Sequence, residues 1–210
     1  QVTVTVVRVD RIHAVVLGNK FFKLHYFLEE ALVSKRDTIL TFGGAYSNHL
    51  AATACACKAL KLKSIAVVRG EKTTISSHTL NECIENGMLL KFVSRQHFSE
   101  KDNADYIDDL KKEFGNCLII PEGGYAPAGA KGAALIIDLI QYNGYTHICT
   151  ASGTATTTAG LLLAAKPEQI VISLPVLKGM TDNKTRIKEL TENTSDLKNL
   201  QILDNYHFGG

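Results

Sequence analysis

Three short stretches of this 210-residue chain carry side chains whose types and spacing could do chemistry. In "GNKFFKL", Gly18 to Leu24, Lys20 falls at the start of a segment that reads as a helix with one apolar face. An ammonium there meets the positive end of the helix dipole, which favours its neutral form. A neutral amine is what Schiff-base chemistry requires. Lys23 competes for the role one turn further on. In "GGAYSNH", Gly43 to His49, a hydroxyl (Ser47) and an amide (Asn48) stand where a strand gives way to a helix. Either side chain could cap that helix, or both could face a crevice beyond the strand's carboxyl end. In "SGTATTTAG", Ser152 to Gly160, a helix begins among Thr154, Thr156 and Thr157. Unpaired N–H groups and added hydroxyls suit a phosphate, although a threonine-capped helix without a ligand would use the same residues. There is no Walker lysine and no G-x-G-x-x-G, which speaks against a nucleotide.

Apolar periodicity supplies the elements that must position these loops. Strands are predicted at 2–9, 38–42, 64–69, 89–94, 117–122, 147–152, 169–176 and 200–204. Helices are predicted over Phe21 to Ser34, Asp102 to Phe114 and Thr181 to Glu192. In the first of these, Phe21, Leu24, Leu28 and Ala31 share the apolar face. Strand–helix alternation predicts an α/β fold with mostly parallel sheets covered on both faces. In such folds ligands bind beyond the carboxyl ends of strands. The three loops lie at such ends or beside them, together with "EGGYAPAG" after "CLIIP".

Composition narrows the function classes. With 45% hydrophobic and 21% charged residues and a net charge of +2, the chain reads as globular, with no nucleic-acid partner expected. No apolar run approaches the roughly 18 residues that cross a bilayer, so no membrane partner is expected. The five cysteines show no framework spacing. Cys55 and Cys57 point apart on a helix, and Cys83, Cys117 and Cys149 sit in apolar stretches, which suggests buried thiols in a reducing, cytoplasmic setting. His49 and His147 lack spaced partners, so no metal is expected. The chain starts at Gln1, and a processed or partial product is expected.

Taken in order, "GNKFFKL", "TFGGAYSNH", "IPEGG" and "SGTATTTAG" resemble the fold type II pyridoxal-phosphate enzymes. The branch in question is that of 1-aminocyclopropane-1-carboxylate deaminase and D-cysteine desulfhydrase. The resemblance covers essentially the whole chain. It implies pyridoxal 5'-phosphate as cofactor and two three-layer domains. Residues 1–33 and 124–210 would form a larger cofactor domain, incomplete at its C-terminus, and 34–123 a smaller inserted one. It further implies a homodimer. By the same resemblance Lys20 is the Schiff-base lysine and Asn48 bonds the cofactor's phenolic oxygen. Ser47 faces the substrate carboxylate or assists proton transfer. Gly153, Thr154, Ala155, Thr156 and Thr157 cradle the phosphate. The implied activity is a lyase on a small amino-acid substrate, with D-cysteine converted to pyruvate, ammonia and hydrogen sulfide. The alternatives are the cyclopropane-acid deaminase and a catalytically silent cofactor-binding homologue. Three positions bear on the match. Phe22 stands where the family often has arginine, Ala155 stands where its phosphate loop usually has glycine, and His49 is more typical of the desulfhydrase branch.

Overall fold

Apolar runs rich in valine and isoleucine become strands, and the amphipathic segments between them become helices. The computed structural model describes residues 2–13, 16, 18–72, 76–140, 144–177 and 179–206. Helix α1 (Asn19–Val33) leads into β1 (Thr38–Gly44), α2 (Asn48–Ala59) and β2 (Lys63–Arg69). Then come α3 (His78–Glu85), β3 (Met88–Val93), α4 (Arg95–Ser99), α5 (Ala104–Phe114) and β4 (Cys117–Ile120). These strands form a four-stranded sheet in the order β3-β2-β1-β4, every pair parallel. After α6 (Pro127–Ala134), a second sheet follows, built from β5 (His147–Ser152), β6 (Ile170–Pro175) and β7 (Leu200–Ile202). It is parallel too, in sequence order, with α7 (Thr156–Ala164) and α8 (Asn183–Leu190) between its strands.

The inner strand β1 shows why both faces must be apolar. Ile39 packs in one cluster with Leu24, Phe27 and Ala31 of α1 and with Ala52 and Cys57 of α2. Its neighbours Leu40 and Phe42 point the other way and pack with Val67, Phe98 and Leu110. Alternate side chains thus serve two helical layers, as a doubly covered parallel strand requires.

Four expectations need correction. Residues 2–9 form no strand: Val2, Val4 and Val6 are largely exposed, and the segment runs as coil into a short 3-10 turn at Val9–Arg11. Alternating Val and Thr make a segment fit for a sheet, but that fitness is realised only where a ladder partner is in place. The buried face of α1 consists of Phe22, Lys23, Leu24, Phe27 and Ala31, while Phe21 is turned outward. Phe22 instead enters the cluster containing Ala130 and Ala133 of α6. Cys149 is exposed, because β5 is an edge strand and this residue faces away from the core. Cys55 is only half-buried.

The periodicity also says nothing of α6, "PAGAKGAA", whose residues are almost all small. Its role is close approach. A Cβ at Gly132 would stand 2.1 Å from the Phe22 carbonyl oxygen of α1, and one at Gly160 of α7 would stand 2.4 Å from the Ala130 oxygen of α6. Real Cβ atoms do not come so near to backbone. The α1, α6 and α7 backbones therefore sit against one another, and this draws the lysine-bearing helix to the threonine-bearing one.

Candidate functional site

At the start of α1, the Lys20 Nζ donates to the Oδ1 of Asn19 at 2.6 Å. The same carboxamide donates through Nδ2 to the Oγ1 of Thr157, at the start of α7, at 2.7 Å. One side chain thus joins the candidate amine to the candidate anion turn. Burial lowers the Lys20 pKa from that of an ordinary lysine. Lys23 lies deeper, at 4% exposure. Its pKa falls to about 7, chiefly through burial and secondarily through the charge of Lys20. Its Nζ points to the Gly123 carbonyl at 3.4 Å.

The turn after β4 meets both features. An added Cβ at Gly123 would come within 3.0 Å of the Thr154 methyl, and one at Gly124 within 3.5 Å of the Lys23 Cβ. In the threonine loop the Thr154 and Thr156 hydroxyls are 2.9 Å apart. Beside Gly153 there is open space where a side chain would project. Helix α7 begins here, and its first N–H groups have no intrahelical acceptor. Ala155 caps it with φ of 64°, in the left-handed region.

The stretch 43–49 lies at the end of β1. A Cβ on Gly43 would collide with the Ser47 side chain, whose Oγ would be 2.8 Å away, so the glycine lets that hydroxyl fold over the strand end. Ser47 holds the N-cap position of α2, yet its side chain makes no capping hydrogen bond. The capping role open to it in sequence is therefore not taken up. Asn48 opens α2 and is exposed, and it takes no part in the Lys20–Asn19–Thr157 contact.

His49 is the residue whose importance the spacing did not reveal. It is buried, and its Nε2 lies 2.9 Å from the Oγ1 of Thr41. That hydroxyl has one proton and donates it to the Ile120 carbonyl at 2.8 Å. His49 must then donate through Nε2, which leaves Nδ1 as a bare acceptor. Nδ1 is indeed buried without a partner. Burial first, then the charges of Lys20 and Lys23, lowers the ring's pKa to about 3, so the imidazole is neutral. A buried acceptor lacking a donor, two amines inclined to neutrality and an open threonine turn make a chemically poised cluster. Among the described residues no group of three or more His, Cys, Asp or Glu is placed to hold a metal ion. No described helix is long and apolar enough to cross a membrane.

No family model matches the chain. A Pyrococcus abyssi protein provisionally named a 1-aminocyclopropane-1-carboxylate deaminase is 30% identical over 196 residues, covering 88% of this chain and 59% of that protein. A D-cysteine desulfhydrase of Serratia proteamaculans is 26% identical over 189 residues, covering 82% and 57% respectively. The crystal structure of a homologue of ACC deaminase, the enzyme of the cyclopropane acid, superposes with a TM-score of 0.79 at 29% identity, over 96% of this chain and 65% of that one. This chain is a homologue of proteins named as cyclopropane-acid deaminases and D-cysteine desulfhydrases. Its architecture is that of fold type II, and it spans less than two thirds of each of these relatives.

Set against the family pattern, both departures find room. Phe22 fills apolar space beside Ala130 and Ala133, where a guanidinium would be buried. Ala155 carries its methyl in the same buried cluster, out of the open side of the loop.

Proposed function

We propose that this chain belongs to a pyridoxal-phosphate-dependent lyase acting on a small amino acid, with D-cysteine as the leading substrate. The observation that carries the reading is the Asn19 bridge, which sets the Lys20 amine beside the threonine turn. The residues fit the cofactor. The open loop at Gly153 and the Thr154, Thr156 and Thr157 hydroxyls would hold its phosphate, with Ala155 shaping the turn. Bound there, pyridoxal phosphate supplies an aldehyde for a lysine and an electron sink for charge developing at the substrate's α-carbon.

The chain's own groups would do the rest. Burial leaves Lys20 Nζ a larger neutral fraction, so it can bind an aldehyde and, when free, take a proton from the substrate's α-carbon. The Ser47 hydroxyl, not used as a cap, would face the substrate carboxylate, and the exposed Asn48 the ring's phenolic oxygen. Neutral His49 offers Nδ1 as an acceptor on the buried side. The overall reaction takes D-cysteine and water to pyruvate, ammonia and hydrogen sulfide. Cys57, Cys83 and Cys117 are buried free thiols, which fits a reducing, cytoplasmic setting, and a homodimer is part of the proposal.

A second reading, deamination of 1-aminocyclopropane-1-carboxylate to 2-oxobutanoate, is favoured by the name of the Pyrococcus relative. Added pyridoxal phosphate should give a visible absorption band that Lys20→Ala abolishes; a band persisting in that variant would move the assignment to Lys23. Sulfide release against 2-oxobutanoate formation separates the substrates. Cofactor uptake with neither product would leave a silent homologue.

A further inference from the structure

A second cluster of charge lies beside the "EGG" turn. Arg69 ends β2, Arg95 opens α4, and Lys101 follows α4. They line a cavity of about 480 Å³ together with Phe98, Ser99 and Glu122. We propose that this cavity is a binding site for a small dianion, a phosphate or a dicarboxylate, separate from the threonine turn.

Its floor is built. Phe98 is 3% exposed and is held edge-on by Phe42 at 6.3 Å between centroids. The Arg69 guanidinium lies 5.6 Å from the centre of the Phe98 ring and the Lys101 ammonium 5.7 Å from it, so one aromatic ring gathers two cations. Their partners are unevenly distributed. Lys101 pairs with Asp102 at 3.1 Å and with Glu122 at 3.8 Å. Arg69 and Arg95 form no ion pair or side-chain hydrogen bond with any described residue. Two guanidinium forks that form no close ion pair, in one concavity, match the paired oxygens and double charge of a small dianion.

The cavity borders the turn that meets the threonine loop. Glu122, desolvated and countered by Lys101 and Arg69, is the residue before Gly123, which abuts Thr154. Arg69 also borders the backbone of Gly44, where an added Cβ would lie 3.5 Å from its Nη2. An anion bound here would compete with Glu122 for its cations.

The test uses protein loaded with pyridoxal phosphate, so that the threonine turn is occupied. Inorganic phosphate and malonate are titrated separately by calorimetry at fixed ionic strength. Saturable binding is expected, weakened about tenfold in each of Arg69→Gln and Arg95→Gln, and the tighter anion identifies the source. Both arginines are exposed, so the variants should fold, and circular dichroism checks that they do. If neither anion saturates, or if affinity is unchanged in the double variant, the proposal is overturned. Should the protein take up no cofactor, the same titration on the cofactor-free protein still decides. Binding that survives the double variant but not Thr157→Val would belong to the threonine turn and would also overturn the proposal.

Discussion

Asn19 and Thr157, 138 residues apart in the chain, are joined by a 2.7 Å hydrogen bond from Nδ2 to Oγ1. The oxygen of the same carboxamide receives the Lys20 Nζ at 2.6 Å. Asn19 therefore orients the amine relative to the turn. It also stabilises the amine's charged form, because an acceptor facing an ammonium favours the proton.

From this contact, Asn19→Ala should leave the fold intact and lower the affinity for pyridoxal phosphate by about tenfold, the scale of one hydrogen bond to a charged group. It should also lower the Lys20 pKa further. Absorbance titration reads the affinity, and the pH dependence of amine labelling in the cofactor-free protein reads the pKa. An unchanged labelling profile would show that Asn19 is only a packing residue.

Lys23 makes a prediction of opposite kind, about stability. Its folded pKa of about 7 lies below its ordinary value of 10.5. Between those values the unfolded chain binds more protons than the folded one, so stability should rise with pH from about 7 towards 10.5. The slope approaches about 1.4 kcal/mol per pH unit for one proton. Lys23→Met should flatten that rise and stabilise the protein most below pH 7. Urea denaturation at a series of pH values checks it, and parallel curves for both proteins would refute the burial argument.

Ala155 pits two effects against each other. Its left-handed φ of 64° costs about 1 kcal/mol that glycine would not pay. The buried methyl returns a similar amount, about 0.8 kcal/mol. Ala155→Gly should thus change stability by less than about 1 kcal/mol. Ala155→Val, with a branched side chain in the same conformation, should cost more than about 2 kcal/mol. Thermal melts of the two variants decide between strain and packing at this position.

At Gly132 there is no such balance. A methyl 2.1 Å from the Phe22 carbonyl oxygen forces α1 and α6 apart. Gly132→Ala should destabilise by roughly 2 kcal/mol or more and weaken cofactor binding, because α1 carries Lys20. Melting temperature and absorbance titration together test this. A stable variant that had lost its cofactor affinity would show displacement without unfolding.

How the fold could be read in advance differed from element to element. Strands such as 38–42 and 64–69 announced themselves as short runs rich in apolar and β-branched residues, as burial on both faces demands. The run at 2–9 looked the same, since alternation reports that a segment could pair, not that a partner is present. Helix α6 escaped because its function is to be small, and periodicity detects only large side chains.

The sequence by itself determined the chemistry on offer: an amine at the start of a helix, a hydroxyl–amide pair after a strand and a threonine-rich turn. Each is a local matter of residue type and spacing. The tertiary structure decided which of them meet. Asn19 finds Thr157 only because Gly132 and Gly160 let three helices approach at backbone distance. The tautomer of His49 follows from a threonine whose only proton goes to a neighbouring strand. Such contacts depend on burial and on partners far along the chain, and no local pattern encodes them.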